Sequence, residues 1–113
     1  MIKQRRDTYV KQSKIDGYRA RSAYKLKEID EKFKIFKGGM TVIDIGAAPG
    51  SWSQYVSKVV KSGKLISIDL KEIDLIEKAI QIKGDFTDTE VQNEIKSHIQ
   101  NKVDAVISDM AVN

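Results

Sequence analysis

The sequence predicts an α/β fold built on a parallel sheet, and two observations support that class. A short apolar run at 42–45 ends in Gly46, and apolar residues at helical spacing begin after Pro49 and Gly50. A second apolar run, 65–68, follows that helical pattern and ends in Asp69. Strands that alternate with helices in this way form parallel sheets. We therefore expect a strand, a tight turn and a helix between residues 41 and 60.

Small residues fill the turn: Gly46, Ala47, Ala48 and Gly50. At the carboxyl end of a parallel strand, small residues let the backbone approach a ligand that the next helix also faces with its amino terminus. The dinucleotide fingerprint Gly-x-Gly-x-x-Gly would need glycine where this chain has Ala48. A pyrophosphate ligand is disfavoured, and a nicotinamide dehydrogenase with it.

A carboxylate ends the second strand and indicates what the ligand is. Asp69 lies roughly 20 residues after the glycine turn, the spacing at which an acidic residue accepts the hydroxyls of a bound ribose. A glycine turn alone is equally typical of an ordinary strand-to-helix connection. The turn and Asp69 together favour a nucleoside cofactor.

Four stretches in order carry a resemblance to a known family. Residues 44–53 read DIGAAPGSWS, residues 17–26 GYRARSAYKL, residues 84–87 GDFT and residues 108–111 SDMA. The first resembles motif I of S-adenosylmethionine-dependent methyltransferases, in the form found in FtsJ-like RNA ribose 2′-O-methyltransferases. The bacterial members that methylate large-subunit (23S) ribosomal RNA are the most similar. The resemblance implies a Rossmann-like methyltransferase fold, truncated here after the fourth strand, with S-adenosyl-L-methionine as cofactor and no metal.

The resemblance also implies which residues bind the cofactor. It assigns them to the glycine turn and to the ends of the strands, namely Gly50, Trp52, Asp69, Asp85 and Asp109. Other interpretations exist for two of them: an aromatic residue at helical spacing usually packs in the core, and an aspartate after a glycine is usually a turn residue. Phe86 is expected near the adenine ring that Asp85 contacts.

Lys25 and Asp109 are the predicted catalytic residues. A ribose hydroxyl is a poor nucleophile at neutral pH, and a lysine near other cations can stabilise its alkoxide or help remove its proton. In the family, the lysine of the Tyr-Lys-Leu stretch and the aspartate after the fourth strand belong to a Lys-Asp-Lys-Glu tetrad. Taken alone, Lys25 is equally a surface lysine on a basic helix.

Composition limits the class of protein. The 113 residues contain no cysteine, which excludes a disulfide framework and a thiolate metal site. No apolar run approaches the roughly 20 residues that span a bilayer, and no secretory signal is recognisable at the start. A cytoplasmic location is expected.

Basic charge is concentrated at the amino end. Residues 1–38 contain 12 Lys/Arg and 5 Asp/Glu, whereas residues 39–113 contain 8 and 11. Tyrosines are interleaved with these cations, as on surfaces that bind RNA phosphates and stacked bases. A solvated charged terminus is the alternative. We predict a basic arm at 1–21 and an incomplete Rossmann-like domain at 22–113, with ribosomal RNA or the large ribosomal subunit as partner.

The remaining elements are predicted from local patterns. Ser22 is the expected N-cap of a helix at 22–34 that places Phe33 on the sheet and presents Tyr24. A short helix at 71–79, a strand at 80–82 and a strand at 103–107 are also expected. Residues 87–90 form a predicted capping box for a helix that ends near 101. His98 has no acidic partner at catalytic spacing and is interpreted as structural.

The chain departs from the family at its carboxyl end. Val112 replaces a proline that usually follows the alanine of the fourth stretch, and no later residue supplies the second Lys and the Glu of the tetrad. An apolar fourth strand would form an exposed edge that favours pairing with another chain. We expect a complementary carboxyl-terminal polypeptide, or else a non-catalytic fragment that binds cofactor or RNA.

Overall fold

The computed structural model describes residues 16–109, which form an α/β structure. Expectations for the amino-terminal arm before Asp16 and for the loop after Asp109 lie outside these residues. Three helices lie wholly within the described residues: α1 Ser22–Phe33, α2 Ser51–Val59 and α3 Thr89–Ser97. The same residues form four strands, with no helix between the second and the third: β1 Thr41–Ile45, β2 Lys64–Asp69, β3 Ala79–Lys83 and β4 Ala105–Ser108.

The four strands are parallel and lie in the order β3-β2-β1-β4. After β1 the chain adds β2 and β3 on one side and then returns to place β4 on the other. The strand order therefore reverses between β1 and β4. In open parallel sheets this reversal leaves a crevice at the carboxyl ends of the strands, where ligands bind. The expected Rossmann-like arrangement, as far as its fourth strand, is confirmed.

Alternate residues of the strands form two separate cores, one on each face of the sheet. Val42 and Leu65 point towards α1 and α2, where they pack with Trp52 and Val56. Ile43, Ile66, Ile68 and Ile82 point to the opposite face and pack with Ile95 of α3. This period of two is what a strand backbone dictates. Helices pack on both faces of the sheet, as is usual for parallel sheets, although Val106 of the edge strand β4 is 59% exposed.

Helix α1 differs from the prediction at both ends. Arg21 occupies the N-cap position, while Ser22 begins the helix and its hydroxyl contacts that of Ser51 at 2.8 Å. Tyr24 is buried rather than presented, because its ring meets Tyr18 edge-on and its hydroxyl donates to Asp16. These contacts depend on residues outside the helix, so helical periodicity does not show them.

The end of α1 explains why Phe33 is 65% exposed and not on the sheet as predicted. Lys34 turns into the left-handed region with φ 51°, which ends the helix. The buried carboxylate of Asp30 then accepts the N–H of Phe36 at 2.9 Å and the hydroxyl of Tyr55 at 2.5 Å. Phe36, instead of Phe33, fills the core.

The expected helix at 71–79 is absent, because side chains take the carbonyls that a helix would use. The Gln81 amide donates to the carbonyls of Ile73 and Asp74, and its oxygen accepts the N–H of Ile76. The Arg19 guanidinium takes the carbonyls of Asp74 and Leu75. The connection is irregular but held by these bonds.

Strand β3 is longer than predicted, whereas helix α3 and strand β4 are shorter. Helix α3 begins after Asp88, which makes no side-chain cap bond, and ends at Ser97. The capping box is wrong, since the Thr87 hydroxyl donates to Asp85 instead. Strand β4 begins at Ala105. The residue before it, Asp104, accepts the Thr41 N–H with its carboxylate at 2.7 Å. His98 contributes its carbonyl to the Lys64 ammonium and has no role in the crevice.

Candidate functional site: an aspartate-lined crevice

The turn after β1 is fastened to the end of β2. The N–H groups of Gly46 and Ala47 both donate to the carbonyl of Ile68, at 2.8 and 3.0 Å. Gly46 has φ 69°, a conformation that glycine adopts at little cost. The Ala48–Pro49 peptide bond is cis. These contacts hold the turn level with the carboxyl ends of the strands.

A cavity of about 520 Å³ opens at those strand ends. Residues from the ends of β1, β2 and β3, together with Asp109 after β4, form its wall. Its lining combines small, apolar and acidic residues: Ile45, Gly46, Ala48, Ile68, Asp69, Leu70, Lys71, Gly84, Asp85, Phe86, Thr87 and Asp109. The size and the mixed lining suit a small ligand of nucleoside type.

Asp69 is oriented by two backbone N–H groups. Its Oδ2 accepts the N–H of Ala48 at 2.8 Å, and its Oδ1 accepts that of Lys71 at 2.8 Å. An ionised carboxylate offers about four acceptor sites, so roughly two remain for a ligand. Two adjacent hydroxyls of a ribose would match those sites in number.

Asp85 is held in a tight turn and keeps one oxygen for a ligand. Its Oδ1 accepts the N–H of Thr87 at 2.9 Å and the Thr87 hydroxyl at 2.7 Å. These two bonds lower the pKa of Asp85, so the group is an acceptor at neutral pH. Phe86 lines the cavity beside it. The turn interpretation and the ligand interpretation of Asp85 are therefore compatible.

Asp44 lies beneath the crevice in a buried polar row. Its Oδ2 accepts the Ser53 hydroxyl at 2.7 Å, and the hydroxyls of Ser53 and Ser67 are 2.6 Å apart. Burial raises the pKa of Asp44 from 3.8 to about 6; the Ser53 bond opposes the rise, and the charges of Asp109 and Asp69 add to it. Negative charge is thus concentrated at this end of the sheet and favours a cationic ligand.

Gly50 and Trp52 do not line the cavity, although the resemblance assigns both to the cofactor. Trp52 is buried in the core beneath α1 and α2, and its indole N–H donates to the carbonyl of Ser22 at 2.9 Å. Gly50 has φ 114°, and a Cβ there would lie 2.7 Å from Nη1 of Arg19. Glycine at this position makes room for the Arg19 side chain.

Arg19 joins three segments of the chain. Its guanidinium donates to the carbonyl of Pro49 at 2.9 Å, and to those of Asp74 at 2.8 Å and Leu75 at 2.7 Å. Its own N–H donates to the Gln54 side chain of α2. Arg19 therefore fixes the glycine turn to the β2–β3 connection, whereas the sequence suggested only a member of a basic surface.

Lys25 is exposed in the first turn of α1 and is absent from the cavity wall. Of the two predicted catalytic residues, only Asp109 lies at the cavity. The structure brings Asp69, Asp85 and Asp109 together on one wall and leaves Lys25, Gly50 and Trp52 outside it.

Sequence reasoning missed two functional features. The signal for Asp44 is a single carboxylate between isoleucines in a short strand, on the face that carries Val42. Arg19 offers no such signal, because its partners are backbone carbonyls 30 to 56 residues away.

None of the helices within residues 16–109 is long and apolar enough to cross a membrane. The same residues contain no cluster of three His, Cys, Asp or Glu side chains arranged to bind a metal ion.

The parallel sheet with its strand-order reversal, the glycine turn and the acidic crevice define a Rossmann-like protein suited to a nucleoside ligand. Residues 18–113 match the family model described as FtsJ-like methyltransferase, and the chain belongs to this family. The resemblance seen in its four motifs is thereby confirmed.

Relatives of known name agree with that assignment. Ribosomal RNA large subunit methyltransferase E of Pelagibacter ubique is 70% identical over 111 residues, which cover 98% of this chain and 55% of the relative. The Pseudomonas fluorescens protein of the same name is 50% identical over 109 residues, covering 95% and 52%. The chain thus spans about half the length of the curated relatives it matches.

A solved structure supports the fold. The crystal structure of a Plasmodium falciparum protein named as a ribosomal RNA methyltransferase superimposes with a TM-score of 0.74 and 36% sequence identity. The match covers 85% of this chain and 58% of the other.

The buried Asp44 predicts a dependence of stability on pH. The folded protein binds the Asp44 proton more tightly than the unfolded chain, so its contribution is present below about pH 4 and lost as the pH rises through about 6. The shift of about two units corresponds to roughly 3 kcal/mol. The Asp44→Asn variant retains an oxygen acceptor for the Ser53 hydroxyl, but its amide does not titrate. Urea unfolding between these pH values should show the stability of the wild type falling relative to that of Asp44→Asn by that amount.

The control is Asn93→Ala, which replaces an exposed residue of α3 that does not titrate and should leave the shape of the pH profile unchanged. Parallel pH profiles for the wild type and Asp44→Asn would contradict the assignment of a raised pKa to Asp44.

The contact between Gly50 and Arg19 predicts coupled effects of mutation. Gly50→Ala should destabilise the fold by roughly 2–4 kcal/mol, because the backbone is strained and Arg19 must leave its carbonyls. In an Arg19→Ala background the second cost is already incurred, so a double-mutant cycle should give a coupling of roughly 1 kcal/mol. Urea unfolding of the four proteins measures it.

Gly38→Ala serves as the matched control. A Cβ at Gly38 meets no atom within 4 Å and φ lies outside the left-handed region, so this change should cost nothing. Additive effects of the Gly50 and Arg19 substitutions would show that the two residues do not depend on each other.

Proposed function

We propose that this chain takes part in the S-adenosylmethionine-dependent methylation of a ribose 2′-hydroxyl in large-subunit ribosomal RNA. Membership of the FtsJ-like family supports the class of reaction, and the names of the relatives support the substrate. The observation that carries the proposal is Asp69, whose carboxylate is oriented by two N–H groups at the mouth of the cavity. The cytoplasm, where ribosomal RNA is found, is the proposed location.

The residues of the crevice fit the proposed cofactor. Asp69 has acceptor sites for the two ribose hydroxyls, and the free oxygen of Asp85 is an acceptor for an adenine amino group. Phe86 offers an apolar surface for the adenine ring. The acidic wall suits the positive charge of a sulfonium and an ammonium group. When bound, this cofactor supplies an electrophilic methyl group.

Gly50 and Trp52 support cofactor binding indirectly in this proposal. Gly50 accommodates Arg19, which fixes the turn whose Ala48 N–H orients Asp69. Trp52 anchors α2 to α1 through the Ser22 carbonyl. Both residues would affect the cofactor by positioning the turn, because neither lines the cavity.

We assign the chemical step at the RNA to Lys25 and Asp109. Lys25 would lower the cost of forming the alkoxide, and Asp109 lies at the cavity wall, at the end of β4. The second Lys and the Glu of the family tetrad have no counterpart in the fourth stretch or earlier. We propose that they come from the half of the relatives' length that this chain does not span, in the same or a separate polypeptide.

A second candidate is a non-catalytic module that binds cofactor or RNA. The position of Lys25 outside the cavity wall favours it. The two candidates differ in whether methyl groups are transferred, and this is measurable.

Transfer of labelled methyl groups to undermodified large ribosomal subunits tests the proposal. The wild type, supplied with the half of the relatives' length that this chain does not span, should incorporate label into ribose, and Lys25→Ala should lower kcat by roughly 10²–10⁴-fold with unchanged cofactor affinity. Asp69→Asn should weaken cofactor binding by roughly 10–100-fold, because an amide N–H would then face the N–H of Ala48 or Lys71.

Lys27→Ala and Glu72→Gln are the matched controls, since both residues are exposed neighbours outside the cavity. Cofactor binding without methyl incorporation by the wild type would favour the non-catalytic candidate. Full activity of Lys25→Ala would remove Lys25 from the mechanism.

A further inference from the structure

A second cavity, of about 280 Å³, is connected to the glycine turn through Arg19. Arg19 lines it and also donates to the carbonyl of Pro49. The residue before Pro49, Ala48, lines the aspartate crevice. A ligand in this second cavity would therefore be separated from the crevice by a short piece of backbone. We refer to it below as the basic cavity.

The basic cavity is surrounded by cations from three separate parts of the chain. Arg19 precedes α1, Lys58 and Lys61 lie at the end of α2, and Lys78 precedes β3. Among the described residues that line it, Glu77 is the only acidic one. Within residues 16–109, the ion pair found is that of Lys102 with Asp104, on another part of the surface. The three lysines of the basic cavity are thus not neutralised by carboxylates of the described chain.

Helix stabilisation explains only part of this arrangement. Lys58 and Lys61 lie near the carboxyl end of α2, where cations favour the helix dipole. Lys78 is on a different element, and both Lys61 and Lys78 have positive φ, at 47° and 69°. Left-handed backbone is unfavourable for lysine, so backbone preference does not place Lys61 and Lys78 at this cavity. Lys58 also makes a cation–π contact, with its Nζ 4.3 Å from the centre of the Tyr18 ring. Their convergence points to an anionic ligand.

We propose that the basic cavity binds phosphates of the RNA substrate, as a docking site beside the cofactor turn. This inference rests on the proposed function and deepens it. The cations are exposed lysines on a shallow surface, which hold a single phosphate weakly but suit a polymer that places several phosphates in their reach. Leu75, 85% exposed at the rim, offers an apolar surface for a base.

The opposite charges of the two cavities suit two different ligands. The crevice presents Asp69, Asp85 and Asp109 to a cationic cofactor, and the basic cavity presents lysines to an anionic strand. Arg19 contacts the backbone between them. In this arrangement, RNA bound at the lysines is held next to the turn that shapes the cofactor site.

The test measures binding of a labelled single strand of ribosomal RNA by fluorescence anisotropy at several salt concentrations. The triple variant Lys58→Gln, Lys61→Gln, Lys78→Gln should bind at least 10-fold more weakly at low salt. It should also lower the slope of log K against log[salt] by about two, since each lost phosphate contact removes roughly 0.7. Cofactor affinity should be unchanged.

Two further variants control for charge and folding. The matched triple variant Lys32→Gln, Lys96→Gln, Lys102→Gln removes equal charge elsewhere and should retain most of the affinity and slope. The triple variant Lys58→Arg, Lys61→Arg, Lys78→Arg keeps the charge and should bind RNA like the wild type. Equal affinity and slope in the two glutamine triple variants would overturn the proposal.

Lysine acetylation of the wild type gives a second measurement that does not depend on a variant. RNA should protect Lys58, Lys61 and Lys78 from acetylation and leave Lys96 reactive. Unprotected lysines in the RNA complex would overturn the proposal, and so would equal protection by inorganic phosphate at the same phosphate concentration, which would indicate a site for a free anion.

The outcomes separate this inference from the proposed function. If the wild type does not bind RNA at all, both are wrong. If the glutamine triple variant binds RNA and transfers methyl groups like the wild type, only the docking site is wrong.

Discussion

The turn at residues 46–50 is held at the end of β2 by three backbone N–H groups, and most of the site depends on this attachment. Gly46 and Ala47 donate to one carbonyl of β2, and Ala48 donates to the carboxylate of Asp69. The same turn gives the Pro49 carbonyl to Arg19. A displacement of the turn would therefore change the crevice wall, the orientation of Asp69 and the position of the β2–β3 connection together.

Charge is distributed around this turn in a way that fits two reactants. Carboxylates from the ends of three strands lie at the crevice, and the charges of two of them, Asp109 and Asp69, contribute to the raised pKa of the buried Asp44. Cations line the basic cavity. One of them, Arg19, connects this cavity to the turn by its bond to the Pro49 carbonyl. The net charge of +4 conceals this separation. A protein that brings a cationic cofactor to a polyanionic substrate needs an acidic site and a basic site that are neighbours but do not overlap.

The elements with strong local signals could be predicted from the sequence, and those fixed by distant contacts could not. Strands β1 and β2 and helix α2 follow from apolar periodicity and from the glycine turn, and Asp69 follows from its place at a strand end. The helix expected at 71–79 is absent because Arg19 and Gln81 take its carbonyls. No window of sequence contains that competition.

The same distinction holds for the site. Asp69, Asp85 and Asp109 could be placed at one edge because the carboxyl ends of parallel strands meet there. Gly50 lies by the turn as expected, but its lack of a side chain serves Arg19, a contact that joins residues 31 positions apart. Lys25 rests on the family resemblance alone, and its part in the reaction remains a proposal.

The role of Asp69 is tested most directly by a crystal structure of the protein with S-adenosylmethionine bound. We expect both ribose hydroxyls within hydrogen-bonding distance of the Asp69 carboxylate, while Ala48 and Lys71 keep their bonds to it. We also expect the adenine ring beside Phe86. A ribose bound to another group, or a cofactor outside the aspartate crevice, would show that Asp69 does not have this role.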